Sequence, residues 1–250
     1  MENKESASIN HDIVEAKFTL GKVSVDPFSS IELCSKYILS LPRKNSVCAV
    51  AMNAEKVVTC EADMELLRFC RSANVLYADG IGVVIALRYR FGIKNTRIPG
   101  CELWLDLIGR LSSKDSIYLL GSTQDTLEKV KVKLKENFNI TIAGAVSGYG
   151  FDENKVIEDI RLKTPTIVFV ALGTPRQELF ISKCIESKVP SIFLGLGGSF
   201  DVYSGATKRA PDFFSNNGME WLYRLICKPS RILRQIKYLV FVAGILTGRI

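Results

Sequence analysis

The sequence is poor in histidine: the 250 residues include a single one, His11, within the polar leader MENKESASINH. A serine–histidine–aspartate triad, a histidine metal site and a histidine general base each need a well-placed imidazole, so this inventory argues against all three. Any acid–base chemistry therefore falls to the carboxylates.

Long hydrophobic runs are also missing. The longest late run, Tyr238 to Leu246, is far shorter than the roughly 20 residues that a membrane-spanning helix needs. The first ten residues are polar and lack the apolar core of a secretory signal. We therefore expect a protein that is neither exported nor membrane-spanning.

Paired cysteine motifs are absent as well. The seven cysteines are odd in number, include no C-x-x-C pair and mostly lie among apolar neighbours. This pattern predicts reduced, largely buried thiols in a cytosolic compartment.

The composition is that of a globular protein with a core, at 47% hydrophobic and 24% charged residues. The positive charge is concentrated late in the chain. Eight basic and two acidic residues follow Gly205, which leaves only +1 of the net +7 for the first 205 residues. This asymmetry indicates a phosphate-rich ligand, an anionic membrane surface or nucleic acid, unless the tail is simply a solvated helix face.

Short apolar runs alternate with stretches of helical periodicity. The candidate strands are Val47 to Met52, Val75 to Ala78, Ser116 to Leu120, Ile140 to Val146, Thr166 to Leu172 and Ser191 to Leu194. The helical stretches are residues 61–72, 80–90, 101–112, 124–137, 153–162 and 177–187. This rhythm predicts an α/β fold in which a mostly parallel sheet carries helices on both faces. We expect a sheet domain over residues 1–205 and a basic amphipathic helical appendage over residues 206–250.

Polar residues follow the candidate strands, at the edge where open α/β sheets bind ligands. Asn53 and Asp79 are two of them. Asp79, in ADGIGVV, opens a helix, where its carboxylate caps the N–H of Ile81 or Gly82 or faces a ligand. Helix N–H groups there favour an anion such as a diphosphate, but they also lower the pKa of Asp79 and weaken it as a base. Both roles stay open.

The stretch VALGTPRQE, from Val170 to Glu178, ends a strand and starts a helix. It predicts a capping box with Thr174 at the N-cap, Pro175 at N1 and Gln177 at N3. The alternative is that Gln177 hydrogen-bonds a sugar or a phosphate.

Residues 195–205, GLGGSFDVYSG, are similar to a loop that cradles a phosphate or a nucleotide. The loop lacks the G-K-[ST] ending of a P-loop, and no G-x-G-x-x-G follows the first strand. Classical NTPase and dinucleotide-binding functions are therefore poorly supported.

The tail predicts one helix up to Cys227, a break at Pro229 and a second helix. In the second helix, apolar residues repeat at helical spacing: Ile232, Leu233, Ile236, Leu239, Val240 and Ala243. Arg231, Arg234 and Lys237 recur every three residues along another face. Either the apolar stripe packs on the core and the basic side is solvated, or the helix rests on an anionic bilayer or closes over a phosphorylated substrate.

Seven motifs, in order along the chain, resemble one known family. They are NAEK (53–56), YADGIGVV (77–84), RIPGCELW (97–104), YLLGS (118–122), VALGTPRQE (170–178), GLGGSFDVYSGATKRAP (195–211) and GMEWLYRLICKPSR (218–231). Together they resemble the WecG/TagA/CpsF glycosyltransferases, glycosyltransferase family 26, over about residues 47–234. NAEK, YADG and EWLYRLICKPSR are most similar to the WecG branch, which transfers N-acetylmannosaminuronic acid from UDP to a polyprenyl-diphosphate-linked GlcNAc. TagA-like members transfer N-acetylmannosamine to a similar lipid in wall teichoic acid synthesis.

The resemblance implies a Rossmann-like, inverting UDP-sugar transferase of bacterial cell-surface polysaccharide synthesis, with no cofactor and no nucleotide-binding metal. Its implied partners are the UDP-sugar donor, the polyprenyl-diphosphate-linked acceptor and the inner face of the cytoplasmic membrane, on which the C-terminal helices would hold it peripherally. A homo-oligomer is left open. So is another donor of the same family, such as UDP-glucose for exopolysaccharide.

The resemblance also implies roles for single residues. Asp79 falls on the family's proposed general base, Gln177 on a sugar-contacting glutamine and Asn53 on a pocket asparagine. With no usable histidine, Asp79 is the carboxylate available to take the acceptor's proton. At Ala51 this chain departs from TagA-like proteins, which carry a threonine, so that residue's contact does not carry over.

Three tail residues, Arg224, Arg231 and Arg234, fall on arginines of a C-terminal appendage that helps complete the active site and reach the membrane. Arginines stabilise the negative charge of a departing UDP. A uronic acid donor needs a further cationic partner, for which Arg97, Arg176 and Lys208 are unranked candidates.

Two other classes of protein are weighed against this one. A nucleic-acid-binding protein would interleave aromatic with basic residues on an exposed face, whereas Trp221 and Tyr223 lie in an apolar helical pattern. We therefore expect no nucleic acid partner. A non-catalytic, basic, membrane-associated α/β protein would have no use for a polar, glycine-lined rim.

Overall fold

Six of the eight strands form one parallel sheet in the computed structural model, which describes residues 17–207 and 232–250. The strands are β1 (Phe18–Leu20), β2 (Val23–Val25), β3 (Val47–Met52), β4 (Val75–Ala78), β5 (Ser116–Gly121), β6 (Thr141–Val146), β7 (Ile167–Ala171) and β8 (Ile192–Gly195). β1 and β2 pair as an antiparallel hairpin. The sheet has the order β4-β3-β8-β7-β5-β6, with every pairing parallel. The predicted strands are confirmed, each within one residue at either end.

Side chains alternate between two hydrophobic clusters along each central strand, as the two-residue period of a strand requires. In β7, Val168 and Val170 enter one cluster, while Ile167 and Phe169 enter the other. Because helices cover both faces of the sheet, the sequences of these strands are continuous apolar runs.

Helices cover both faces, as predicted. They are α1 (Ile31–Ser40), α2 (Ala54–Ala62), α3 (Met64–Ser72), α4 (Ile81–Phe91), α5 (Gly100–Gly109), α6 (Gln124–Asn137), α7 (Glu153–Lys163), α8 (Arg176–Glu186), α9 (Ser199–Ser204) and α10 (Ile232–Leu246). Helices α1, α5, α6 and α9 pack on one face, and α2, α3, α4, α7, α8 and α10 on the other.

The helix predicted near residues 61–72 is confirmed as α3, which begins three residues later and ends at the same residue, but α2 before it was not predicted. Two helices, α2 and α3, meet at Asp63, whose Oδ1 accepts hydrogen bonds of 3.0 Å from the backbone N–H groups of Glu65 and Leu66. Asp63 is thus the N-cap of α3, which begins at Met64, and α2 ends at Ala62, directly before this cap. The sequence analysis also missed α1, the six-residue α9 and the β1–β2 hairpin, whose strands have three residues each.

The buried cysteines are confirmed within the described part of the chain. Six free thiols lie there, and all are buried except the half-buried Cys101. No described helix has the length and apolarity to cross a bilayer.

Helix α10 packs on the sheet domain through a face that the periodicity did not single out. Phe241 is only 2% exposed and joins the core cluster on that side. Lys237 Nζ donates a 2.9 Å hydrogen bond to Thr59 Oγ1 on α2. The expected apolar stripe points outward instead, with Ile236 53% and Leu239 72% exposed. The expectation that this helix packs on the core is confirmed, but Phe241 and Ile245 make the contact in place of the predicted stripe, and Lys237 lies on the inward side.

We predict that Phe241→Ala destabilises the protein strongly. Truncating a buried phenylalanine typically costs about 3–5 kcal/mol, because burial is lost and a cavity remains. Leu239→Ala on the same helix is the matched control, and we expect a change within about 0.5 kcal/mol at this exposed position. Urea unfolding of both variants measures the difference, and equal stabilities would show that α10 does not pack on the core as described.

Candidate active site

The polar residues predicted at the carboxyl ends of the strands do lie at one edge of the sheet. Asn53 follows β3 and Asp79 follows the adjacent β4. The Asp79 backbone N–H donates a 2.9 Å hydrogen bond to the Met52 carbonyl, which extends the ladder to the last residue of β3. Gly80 packs so closely that an added Cβ would lie 3.2 Å from the Asn53 Cβ. Asn53 and Asp79 are thus brought together.

Asn53 caps helix α2. Its Oδ1 accepts a 2.8 Å hydrogen bond from the Lys56 backbone N–H. This capping role was not foreseen in the sequence, although NAEK places an N-cap residue directly before a helix.

Asp79 does not cap α4, so that predicted role is wrong. The N-cap of α4 is Gly80, which has no side-chain cap. The Asp79 carboxylate instead accepts a 3.3 Å hydrogen bond from the Gly100 backbone N–H, at the first turn of α5. Arg97 Nε donates a 3.3 Å hydrogen bond to the Asp79 backbone carbonyl. The motifs YADG and RIPG therefore form one structural unit around Asp79.

Tyr77 lies beneath this unit and was missed in the sequence. Its hydroxyl is buried and has no hydrogen-bond partner among the described residues. Burial raises the pKa of Tyr77 well above its usual value, and the nearby negative charge of Asp79 raises it further. A Cβ at Gly100 would lie 3.4 Å from this hydroxyl and 3.9 Å from Asp79 Oδ2, so glycine keeps the space between them open.

The predicted capping box at Thr174 is also wrong. Helix α8 begins at Arg176, and its N-cap, Pro175, offers no side-chain acceptor. Thr174 Oγ1 instead donates a 2.9 Å hydrogen bond to Glu178 Oε1. The hydroxyl therefore helps to hold a buried carboxylate, in a charge-assisted hydrogen bond.

Glu178 forms a buried ion pair with Lys56 that the sequence analysis did not find. Lys56 Nζ lies 2.9 Å from Glu178 Oε1, and the two side chains are 9% and 5% exposed. Burial by itself would raise the pKa of Glu178. The charge of Lys56 and hydrogen bonds from Lys56, Gln177 and Thr174 outweigh burial and hold that pKa below its usual value. Glu178 Oε2 is buried and has no hydrogen-bond partner in the described part of the chain.

Gln177 connects this ion pair to the glycine-rich loop after β8. Its Nε2 donates a 3.1 Å hydrogen bond to Glu178 Oε1, and its Oε1 accepts a 2.9 Å hydrogen bond from the Gly197 backbone N–H. An added Cβ at Gly195 would lie 2.9 Å from Gln177 Nε2, so a larger residue there would displace this amide. With 5% exposure, Gln177 lies under the loop and supports it.

The other strand ends join the same edge. Ser122, after β5, donates a 2.6 Å hydrogen bond from its Oγ to Asp201 Oδ1 on α9. Gly148, after β6, donates a backbone hydrogen bond of 2.8 Å to the Ser122 carbonyl. Arg176 Nη2 donates a 3.0 Å hydrogen bond to the Gly148 carbonyl. Of the cations weighed for a uronic acid, Arg176 and Arg97 therefore both lie at this edge.

Three predicted residues of the tail are not placed. Arg224, Arg231 and Lys208 lie outside the described residues, as does the side chain of Arg234. Ala51 lines a cavity of about 10 Å³ together with Lys56, Gln177 and Glu178. Within residues 17–207 and 232–250, no three histidine, cysteine, aspartate or glutamate side chains are grouped so as to hold a metal ion.

We predict that Lys56→Met destabilises the protein in a pH-dependent way. It leaves the Glu178 carboxylate buried without its cation, which typically costs about 3–5 kcal/mol near neutral pH. The pKa of Glu178 then rises above its unfolded value, so this deficit shrinks as the pH falls and the carboxyl binds a proton. Urea unfolding between pH 8 and pH 5 measures the deficit.

The double variant Lys56→Met/Glu178→Gln removes both charges and is expected to recover part of the loss at neutral pH. Lys183→Met is the matched control. It breaks an exposed pair with Glu153, and its unfolding free energy should stay nearly unchanged. A deficit in Lys56→Met that does not vary with pH would contradict the proposed protonation of Glu178.

Comparison with known protein families agrees with this architecture. The sequence model of the family described as "Glycosyl transferase WecG/TagA/CpsF family" matches residues 18–250. The match covers the whole sheet, both halves of the Asp79 unit and helix α10. The chain belongs to the WecG/TagA/CpsF family of glycosyltransferases.

Proposed function

We propose that the protein is an inverting glycosyltransferase that moves an N-acetylmannosamine-type sugar from a UDP donor to a polyprenyl-diphosphate-linked GlcNAc. The sugar is N-acetylmannosaminuronic acid or N-acetylmannosamine, and the product serves bacterial cell-surface polysaccharide synthesis. The observation that carries this proposal is the half-buried Asp79 carboxylate, which is held against Gly100 at the sheet edge, next to Asn53.

Asp79 is the base in this reaction. The acceptor hydroxyl gives its proton to the Asp79 carboxylate as its oxygen attacks the anomeric carbon, and the bond from that carbon to UDP breaks on the opposite side. One displacement of this kind inverts the anomeric configuration. The hydrogen bond from Gly100 orients the carboxylate, since a fixed base transfers protons more effectively than a rotating one.

The negative charge that develops on the departing UDP has to be stabilised by cationic groups or hydrogen-bond donors. The glycine-rich loop that Gln177 supports lies next to the sheet edge, and Arg97 lies beside Asp79. Arg224, Arg231 and Arg234 of the tail add cations in this proposal. Together, these groups neutralise the leaving diphosphate or the diphosphate of the lipid.

A peripheral position on the inner face of the cytoplasmic membrane accompanies this function. The outward face of α10 is apolar, with Leu239, Val242 and Leu246 between 51% and 72% exposed. Such a face suits a helix that lies in the bilayer interface. The acceptor is anchored in the same interface by its polyprenyl chain.

Turnover with a panel of UDP-sugars tests the proposal. The panel contains UDP-N-acetylmannosaminuronic acid, UDP-N-acetylmannosamine and UDP-glucose, each with a short-chain polyprenyl-diphosphate-GlcNAc acceptor. We expect transfer from one of the first two donors. Transfer from UDP-glucose alone, or no transfer from any UDP-sugar, would overturn the assignment.

We predict that Asp79→Asn lowers kcat by about 10²- to 10⁴-fold, the usual cost of losing a general base. Donor affinity and folding should be retained, because asparagine still accepts the hydrogen bond from Gly100. Asp63→Asn is the matched control, since asparagine caps a helix as well as aspartate does. An Asp79→Asn enzyme that keeps more than about a tenth of the wild-type kcat would rule out Asp79 as the base.

A further inference from the structure

Exposed apolar side chains are concentrated on two helices, α4 and α10. Thirteen large hydrophobic side chains are exposed among the described residues, and eight of them lie on these helices. Those on α4 are Ile85, Tyr89 and Phe91, and those on α10 are Ile236, Leu239, Val240, Val242 and Leu246. Single exposed apolar residues are ordinary, but a cluster of this size indicates a docking surface.

The two helices lie side by side and run in the same direction. Near the start of α4, a Cβ at Gly82 would lie 3.7 Å from the Phe241 ring and 3.8 Å from the Tyr238 ring. At the end of α4, the Arg90 guanidinium donates a hydrogen bond to the Ile250 carbonyl just beyond α10. With contacts near both of its ends, α4 is a neighbour of the C-terminal segment along its length.

The sequence of both helices is free of acidic residues. Residues 80–101 include Arg88, Arg90 and Lys94 and no aspartate or glutamate, in a chain with 26 acidic residues. Residues 232–250 likewise contain three basic residues and no acidic one. A protein partner would have to supply the acidic residues that this surface lacks. An anionic lipid leaflet supplies both the charge and the apolar phase.

We propose that α4 and α10 together form one lipid-binding surface that lies on an anionic bilayer. Helix α4, which lies outside the basic tail, contributes about half of this surface. This inference rests on the proposed function. Helix α4 begins directly after Asp79 and Gly80 and is about 16 Å long. A bilayer against α4 therefore brings the membrane-anchored acceptor to the end of the helix where the base lies.

Vesicle sedimentation with the full chain tests the role of α4. The vesicles contain phosphatidylglycerol, which is anionic, and phosphatidylcholine. Binding to vesicles of pure phosphatidylcholine, which have no net charge, shows whether an anionic surface is required. We expect the double variant Ile85→Ser/Tyr89→Ser to lower the partition coefficient by about tenfold or more, through lost apolar burial. Leu239→Ser/Val242→Ser on α10 should lower it to a similar degree.

The matched control is Val132→Ser/Leu162→Ser, which removes two equally exposed apolar side chains from α6 and α7. It should leave the partition coefficient unchanged. For charge, Lys94→Glu should weaken binding to anionic vesicles, more so at low salt, whereas Lys129→Glu on α6 should have a much smaller effect. Thermal melting checks that each variant is folded.

If the α4 double variant has the same partition coefficient as the wild type, the proposal is overturned and α10 alone makes the lipid contact. Absence of wild-type binding to anionic vesicles would overturn it too. If the wild type then sediments as a dimer that the α4 variant dissociates, a second copy of the chain covers the surface. Turnover of the wild type on a soluble acceptor is measured separately, so that a failure of the proposed function is distinguished from a failure of lipid binding.

Discussion

The buried ion pair between Lys56 and Glu178 is the interaction on which the candidate site most depends. Lys56 comes from the helix after β3, and Glu178 from the helix after β7. Through Gln177, the pair also reaches the loop after β8. Two charges with less than a tenth of their side chains exposed are costly to bury unless their geometry is good and their remaining groups are hydrogen-bonded. This requirement restricts three neighbouring strand ends to one arrangement.

That arrangement gives Gln177 a structural meaning. Its amide orientation is set at both ends, because the nitrogen faces a carboxylate and the oxygen faces the Gly197 N–H. A glutamine held in this way keeps the glycine-rich loop in place at the sheet edge. An effect of Gln177 on sugar binding can therefore pass through the loop, without direct contact between the amide and the sugar.

The Asp79 unit and the proposed lipid-binding surface share helix α4. Its first residues follow Asp79, Gly82 packs against Tyr238 and Phe241, and its last turn carries Arg88 and Arg90. The helix thus connects the candidate site at one end with basic and apolar side chains toward the other. If the proposed lipid contact holds, this connection fixes how the candidate site faces the bilayer.

The sequence by itself determined the sheet, because each central strand must bury both of its faces and therefore appears as a short apolar run bounded by polar or glycine residues. It also determined that Asp79 and Asn53 lie at the ligand edge, since both directly follow such runs. These are local consequences of backbone geometry, and the structure changed the strand bounds by no more than one residue.

Only the tertiary structure decided which side chains meet across that edge. Thr174 has the spacing of a capping residue, yet α8 begins only at Arg176 and the Thr174 hydroxyl donates to a carboxylate four residues later. Lys56 and Glu178 are 122 residues apart in sequence, and neither carries a local sign of its partner. In α10, the helical period defined an apolar stripe but not its surroundings. Phe241 and Ile245 form the buried face because α2 and α4 lie on that side, and a periodic pattern contains no information about its neighbours.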